Sequence, residues 1–236
     1  MDQPPGGPER AAERAREVLA RLAGLYPLQE RPGRLPPVDE LVCTILSQNT
    51  TDAARDRAFA NLRGAFPNWE AVRDAPTAEV EALIRVCGLA NRKAPRLQAA
   101  LRAVGERAGG RLSLDFLRAM SPTEARAWLT SLDGVGIKTA SIVLLFALDM
   151  PALPVDTHVH RVAGRLGLIA PGTNAEKAHH VLEALVPPEH YLVFHMALIR
   201  HGRAVCRARG PRCRQCVLAD ICDWRLAHPE HDARSG

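Results

Sequence analysis

Lysine is nearly absent from this chain of 236 residues. Of its 31 basic residues 28 are arginine and three are lysine: Lys93, Lys138 and Lys177. Genome composition alone can produce such a bias. A guanidinium cannot do amine chemistry, however, so each surviving lysine marks a place where an amine could be required. Long hydrophobic runs are missing too. The longest mostly apolar stretch, Ala140 to Leu148, is too short to cross a bilayer. The first ten residues are rich in Pro and Gly, carry acids and hold no apolar stretch, which speaks against a secretory signal. β-branched alternating segments are almost absent, and no internal repeat is visible. What is present is a globular composition, 47% apolar, with a net charge of +5 that points only mildly to a polyanionic partner.

The pattern reads as all-α, with roughly ten helices joined by short Gly/Pro turns. Residues 1–8 are expected to form a disordered tail and residues 227–236 a frayed one. Between them, apolar residues at helical spacing predict helices over 9–25, 39–47, 52–63, 77–86, 93–108, 122–131, 138–148, 157–166, 174–185 and 190–203.

Four of the six cysteines fall within 17 residues, as Cys206-x6-Cys213-x2-Cys216-x5-Cys222. Such crowding in a polar loop reads as a metal centre in a reducing, cytoplasmic compartment, not as a disulfide framework. Structural zinc with four cysteines usually pairs two tight knuckles. Only one tight pair occurs here, and the wider spacing of the outer two suits an iron–sulfur cubane better, with zinc as the alternative. From Arg200 to Arg214 there are six arginines and no acid. That segment alone carries +6, leaving the rest of the chain at −1. Arg207 and Arg209 sit on a loop between two of the cysteines, where they suit phosphate contacts; neutralising the metal centre is the competing use.

Leu132-Asp-Gly-Val-Gly-Ile-Lys-Thr-Ala140 lies between two predicted helices. Gly134 and Gly136 allow a tight turn and a close backbone approach, and the free N–H groups of the following helix suit a phosphate. An ordinary helix–helix turn is the bland reading. Lys138 opens the second helix, where the positive end of the helix disfavours an ammonium and so favours a nucleophilic amine. Asp156, in Val155-Asp-Thr-His-Val-His-Arg161, reads either as a helix N-cap or as a carboxylate able to stabilise positive charge on a sugar. His158 and His160 lie on different helix faces and make no metal pair.

Taken together, these motifs resemble the helix-hairpin-helix DNA glycosylase family with a C-terminal iron–sulfur cluster. The further carriers are Leu46-Ser-Gln-Asn-Thr-Thr-Asp52, Gly88-Leu-Ala-Asn-Arg-Lys-Ala94 and His201-Gly-Arg203. The resemblance implies a six-helix barrel domain over 31–150, with the helix-hairpin-helix at about 122–148. A cluster domain would be made from 9–30 and 151–226, with DNA bound across the cleft between them. It implies Lys138 and Asp156 as catalytic residues and Cys206, Cys213, Cys216 and Cys222 as holders of a [4Fe–4S] cluster. Gln48, Asn49 and Leu89 match the loops that fill the hole left by a flipped base, and Lys93, Gly134, Gly136, Arg207 and Arg209 join the DNA-binding set. Asp133, Ile137, Asn49 and Ala90 differ from the family's commonest residues. The implied activity is that of a monomeric bifunctional glycosylase and abasic-site lyase acting on oxidised pyrimidines in duplex DNA, with the cluster playing a structural part. A monofunctional mismatch or adenine glycosylase, or a non-catalytic iron–sulfur DNA-binding protein, is the alternative; Lys138 argues against the first, and Lys138 together with Asp156 against the second.

Overall fold

The structure is a computed structural model and describes residues 6–27 and 34–229. Among these residues there are α-helices, short 3₁₀ turns and one π turn but no strand, so the all-α expectation holds. No helix among them is long and apolar enough to cross a membrane. The chain divides into two compact units. One is Gly33–Met150; the other joins Met1–Pro32 to Pro151–Gly236.

The unit Gly33–Met150 is built around α2 (Pro37–Leu46) and α6 (Ala90–Arg107). Pro37 starts α2 because a first-turn residue has no intrahelical N–H bond to lose. Leu41, Val42, Ile45 and Leu46 are buried on it, against α3 (Asp52–Ala65), α6 and α8 (Ile137–Ile142). Burying each such Leu or Ile is worth roughly 1.5–3 kcal/mol. Thr51 caps α3 by accepting from the Ala54 N–H at 3.2 Å. A short helix that periodicity did not reveal, α4 (Trp69–Asp74), precedes α5 (Thr77–Ile84). Six residues are too few for an apolar repeat to register. Its anchor is tertiary: Trp69 is buried and donates through Nε1 to Asp39 at 3.2 Å.

α6 begins at Ala90, three residues before the expected start. The Leu89 carbonyl already accepts from the N–H groups of Arg92 and Lys93 at 3.0 and 2.9 Å, which closes the first turn ahead of Pro95. Ser121 and Glu124 form a reciprocal capping box at the start of α7 (Pro122–Thr130). α8 does not run on as a plain helix to Leu148: it passes into a wider π turn over Val143–Ala147.

The other unit contains α1 (Gly7–Leu25), α9 (Thr157–Arg165), α10 (Ala175–Leu185), α11 (Tyr191–Ala204) and α12 (Asp223–Ala227). Ala11, Ala15, Val18 and Leu22 form the buried stripe of α1, and α11 packs against both α1 and α9. Two ion pairs tie α1 to the C-terminal segment, Arg14 to Asp223 at 2.7 Å and Arg21 to Asp220 at 2.6 Å. The buried Arg14 also donates to the Leu166 carbonyl at 2.7 Å, so its charge is both paired and hydrogen-bonded.

Both tail expectations need adjustment at their inner ends. Residues 1–5 and 230–236 lie outside the described residues, but Gly7 and Pro8 are already helical. At the other end α12 continues to Ala227, and His228 stacks on Trp224 with ring centroids 4.7 Å apart. Proline in the first turn and aromatic stacking in the last extend order past the polar composition.

Candidate functional sites

In the unit Gly33–Met150 the hairpin between α7 and α8 is fixed by one glycine and one apolar residue. Gly134 has φ of +77°, a left-handed conformation, and an added Cβ would meet the Arg96 side chain at 2.7 Å. Val135 is buried, and its N–H donates to the Leu132 carbonyl at 3.0 Å, closing the turn. Gly136 differs: its φ of −85° suits any residue, and an added Cβ would meet nothing within 4 Å. The turn therefore requires Gly134 and not Gly136. Lys138 is the second residue of α8 and half-buried. Among the described residues its amine has no hydrogen-bond or ion-pair partner.

Two further loops of this unit carry Gln48, Asn49 and Leu89. Gln48 donates through Nε2 to the Gly134 carbonyl at 2.9 Å and so attaches its loop to the hairpin. Asn49 and Leu89 are exposed, and both have φ of +51°. Only one other described non-glycine residue, Asp149, shares that sign. Asn tolerates this conformation; Leu does so only at a cost of about 1–3 kcal/mol, and such strain gathers at functional sites. A leucine side chain 46% exposed on strained backbone is not there to fill the core.

Lys93 needs a correction. Grouped by sequence with the DNA contacts, it is only 3% exposed. Its amine donates to the carbonyls of Leu46 at 2.8 Å and Cys87 at 2.9 Å, and lies 3.5 Å from the Cys87 sulfur. A side chain so enclosed does not reach a phosphate.

In the other unit Asp156 caps α9, its Oδ1 accepting from the Val159 N–H at 2.8 Å. The N-cap reading and the carboxylate reading are compatible, since one oxygen serves the cap. The backbone leading to Asp156 is held by residues that sequence reasoning missed. His179 accepts the Val155 N–H at 3.0 Å, the Glu183 carboxylate accepts the Leu153 N–H at 2.9 Å, and the His195 ring nitrogen Nδ1 meets the Pro154 carbonyl at 2.8 Å. Both histidines are buried. No local signal marks them, because an interior histidine on a helix looks the same whether it holds a loop or only fills space. His158 and His160 are engaged elsewhere, by the Arg161 guanidinium at 3.0 Å and by the Thr173 carbonyl at 2.7 Å.

Cys206, Cys213, Cys216 and Cys222 line one cavity, with Val205, Pro211 and Trp224 around them. Burial above all pushes Cys216 up to about 11 and Cys222 upward, and the neighbouring cysteines add to both. Four thiolates could not share this space without positive charge among them. Four soft sulfur donors lining one cavity are a set that suits either an iron–sulfur group or zinc.

The arginines divide their work. Arg165 on α9 donates to the Cys206 sulfur at 3.3 Å and to the Arg207 carbonyl at 2.7 Å, and lies 4.7 Å from the centre of the Trp224 ring. Arg161 donates to the Cys206 carbonyl at 3.0 Å. These residues, outside the arginine-rich run, support the loop. Arg207 and Arg209 are exposed, and among the described residues their guanidinium groups have no partner. Charge beside the sulfur is thus supplied from α9, with Arg207 and Arg209 left to solvent.

The sequence model described as "HhH-GPD superfamily base excision DNA repair protein" matches residues 42–188. The chain belongs to this family. Endonuclease III of Escherichia coli K12 is 35% identical over 189 residues, spanning 80% of this chain and 84% of that protein. Endonuclease III of Thermotoga maritima is 31% identical over 94% of this chain and 97% of its own length. A relative from Arabidopsis thaliana is 40% identical but longer, and the match spans 56% of it. Among solved structures, a trapped Endonuclease III–DNA covalent intermediate superposes with a TM-score of 0.81 at 28% identity, covering 92% of this chain and 98% of that one. A thermostable thymine-DNA glycosylase, at 22% identity and a TM-score of 0.76, shares the fold.

Proposed function

We propose that the protein is a bifunctional DNA glycosylase and abasic-site lyase that removes oxidised pyrimidines from duplex DNA. The observation that carries this reading is Lys138. In a chain that otherwise prefers arginine, an amine without a partner stands at the start of the helix that follows the hairpin. The likeness to a structure in which an Endonuclease III is covalently trapped on DNA supports a covalent mechanism.

The target base must leave the stack before an enzyme can act on it, at a cost of a few kcal/mol. Leu89 and Asn49 take the vacated space, the former as an apolar wedge. Gly136, whose missing Cβ faces open space, lets a phosphate approach the start of α8. The Lys138 amine attacks the sugar carbon C1′ as the bond to the base breaks, and the base departs with the electron pair and takes up a proton. Asp156 stabilises the positive character of the sugar. Ring opening leaves an imine on Lys138. The imine acidifies the neighbouring C–H, and loss of that proton expels the 3′ phosphate, cutting the strand. Incubating the protein with a duplex holding one oxidised pyrimidine, with and without borohydride, tests the reading. Base release, a nicked strand and a covalent adduct are expected; failure to form the adduct would sink the lyase assignment.

Cys206, Cys213, Cys216 and Cys222 would hold a [4Fe–4S] cluster. When bound, it cross-links four points of the chain and supplies no group to bond breaking. The arginine loop is stretched between two of these cysteines, so its shape depends on them. Cys216→Ser is expected to lose most of the broad visible absorption and iron, and with them DNA affinity. Bound zinc in the wild type, in place of iron, would overturn the assignment. Arg207→Ala with Arg209→Ala is expected to weaken binding to all sequences alike, and to lower the slope of log K against log salt by about 2. An unchanged slope would mean that these side chains do not meet phosphate.

A further inference from the structure

We propose that Lys93 is a positioning residue that holds the two wedge-bearing loops at one spacing, an inference that rests on the glycosylase reading above. Its amine bonds the carbonyls of Leu46 and Cys87 at once, at 2.8 and 2.9 Å. Leu46 is the last residue of α2, and Cys87 ends a 3₁₀ turn over Arg85–Cys87. The Leu46 carbonyl lacks an intrahelical donor and sits at the negative end of the α2 dipole, and the Cys87 carbonyl ends its turn, so an ammonium serves both. Gln48 lies two residues beyond the first carbonyl and Leu89 two residues beyond the second. The backbone N–H of Lys93 also donates to the Leu89 carbonyl at 2.9 Å. One residue thus grips the Leu89 loop from two sides and the Asn49 loop from one.

The burial of Lys93 makes a purely packing role a poor explanation. Among the described residues no acid pairs with it. An ammonium without a counter-charge is costly to bury, and a leucine of similar bulk would fill the space without that penalty. What the amine adds is three compact donors for carbonyls arriving from two directions; a planar guanidinium fork does not reproduce that geometry. The tie explains how two residues in left-handed backbone, Asn49 and Leu89, are kept there: surrounding bonds over-determine their conformation. It also gives a second of the three lysines a reason not to be arginine.

Lys93→Met and Lys93→Arg test the tie. Extrusion is read by 2-aminopurine fluorescence beside the lesion in a duplex, alongside single-turnover base release. Strand cleavage at an abasic site in single-stranded DNA, which needs no wedge, is measured on the same preparations. Both variants are expected to slow extrusion and base release about 10- to 100-fold, the scale of a misplaced reacting group. Cleavage of the single strand is expected to stay within about threefold of wild type, since its chemistry needs no extrusion. Combined with Leu89→Ala, Lys93→Met is expected to cost no more than the worse single change, because both act through the same wedge. Equal losses in both assays, multiplicative losses in the double variant, or unchanged extrusion would each overturn the proposal. So would a failure of both variants to fold, which would make Lys93 a core residue. Wild type that neither releases the base nor cuts abasic DNA would instead refute the glycosylase reading, a distinguishable result.

Discussion

Lys138→Gln is expected to leave no borohydride-trapped adduct and to lower base release by at least about 10³-fold, equivalent to about 4 kcal/mol of lost transition-state stabilisation. Gln keeps most of the volume and removes the nucleophile. The side chain is half-buried and its amine has no partner among the described residues, so the fold should not register the change. A volume-conserving change at a partly exposed side chain that caps nothing and pairs with nothing stays within about 0.5 kcal/mol. Duplex affinity should also persist, since the Gly134 and Gly136 backbone and the exposed arginines are untouched. The scarcity of lysine sharpens the test: the other candidates are Lys93, which is buried, and Lys177, which lies in the first turn of α10. An adduct that persists in Lys138→Gln would transfer the reaction to Lys177 or to the terminal amine, and the mechanism above would be wrong.

Asp156 allows its two roles to be separated by two substitutions. Asp156→Asn retains an oxygen that can accept from the Val159 N–H and removes the negative charge. Base release is expected to fall about 10²- to 10³-fold, the range seen when one preorganised electrostatic group is lost, while thermal stability hardly moves. Asp156→Ala should lose the same activity and, in addition, about 1 kcal/mol of stability with the cap. The pair is read by single-turnover kinetics and thermal melts side by side. Activity near wild type in the Asn variant would reduce Asp156 to the N-cap of α9.

The family and the all-α class were legible in the residues because both rest on local patterns. Helical periodicity, Pro and Gly at helix ends, and a hairpin bounded by two helices are short-range features. Boundaries were less legible where the cause is distant. α4 depends on Trp69 reaching Asp39, thirty positions earlier. Composition could not show this, since neither partner carries a mark of its own.

The same division runs through the site. Sequence alone singled out Lys138, Asp156, the four cysteines and the loop arginines Arg207 and Arg209, because amine, carboxylate, thiol and guanidinium announce their chemistry by type and spacing. It also marked lysine as the residue to watch. Burial and direction belong to the tertiary structure: it enclosed Lys93 beneath two helix ends, set Arg165 rather than Arg207 or Arg209 against the Cys206 sulfur, and placed His179 and His195 behind the backbone of Asp156. A lysine on a helix reads alike whether it faces water or the carbonyls of two loops. Which of these it does is settled by elements that meet only after the chain has folded.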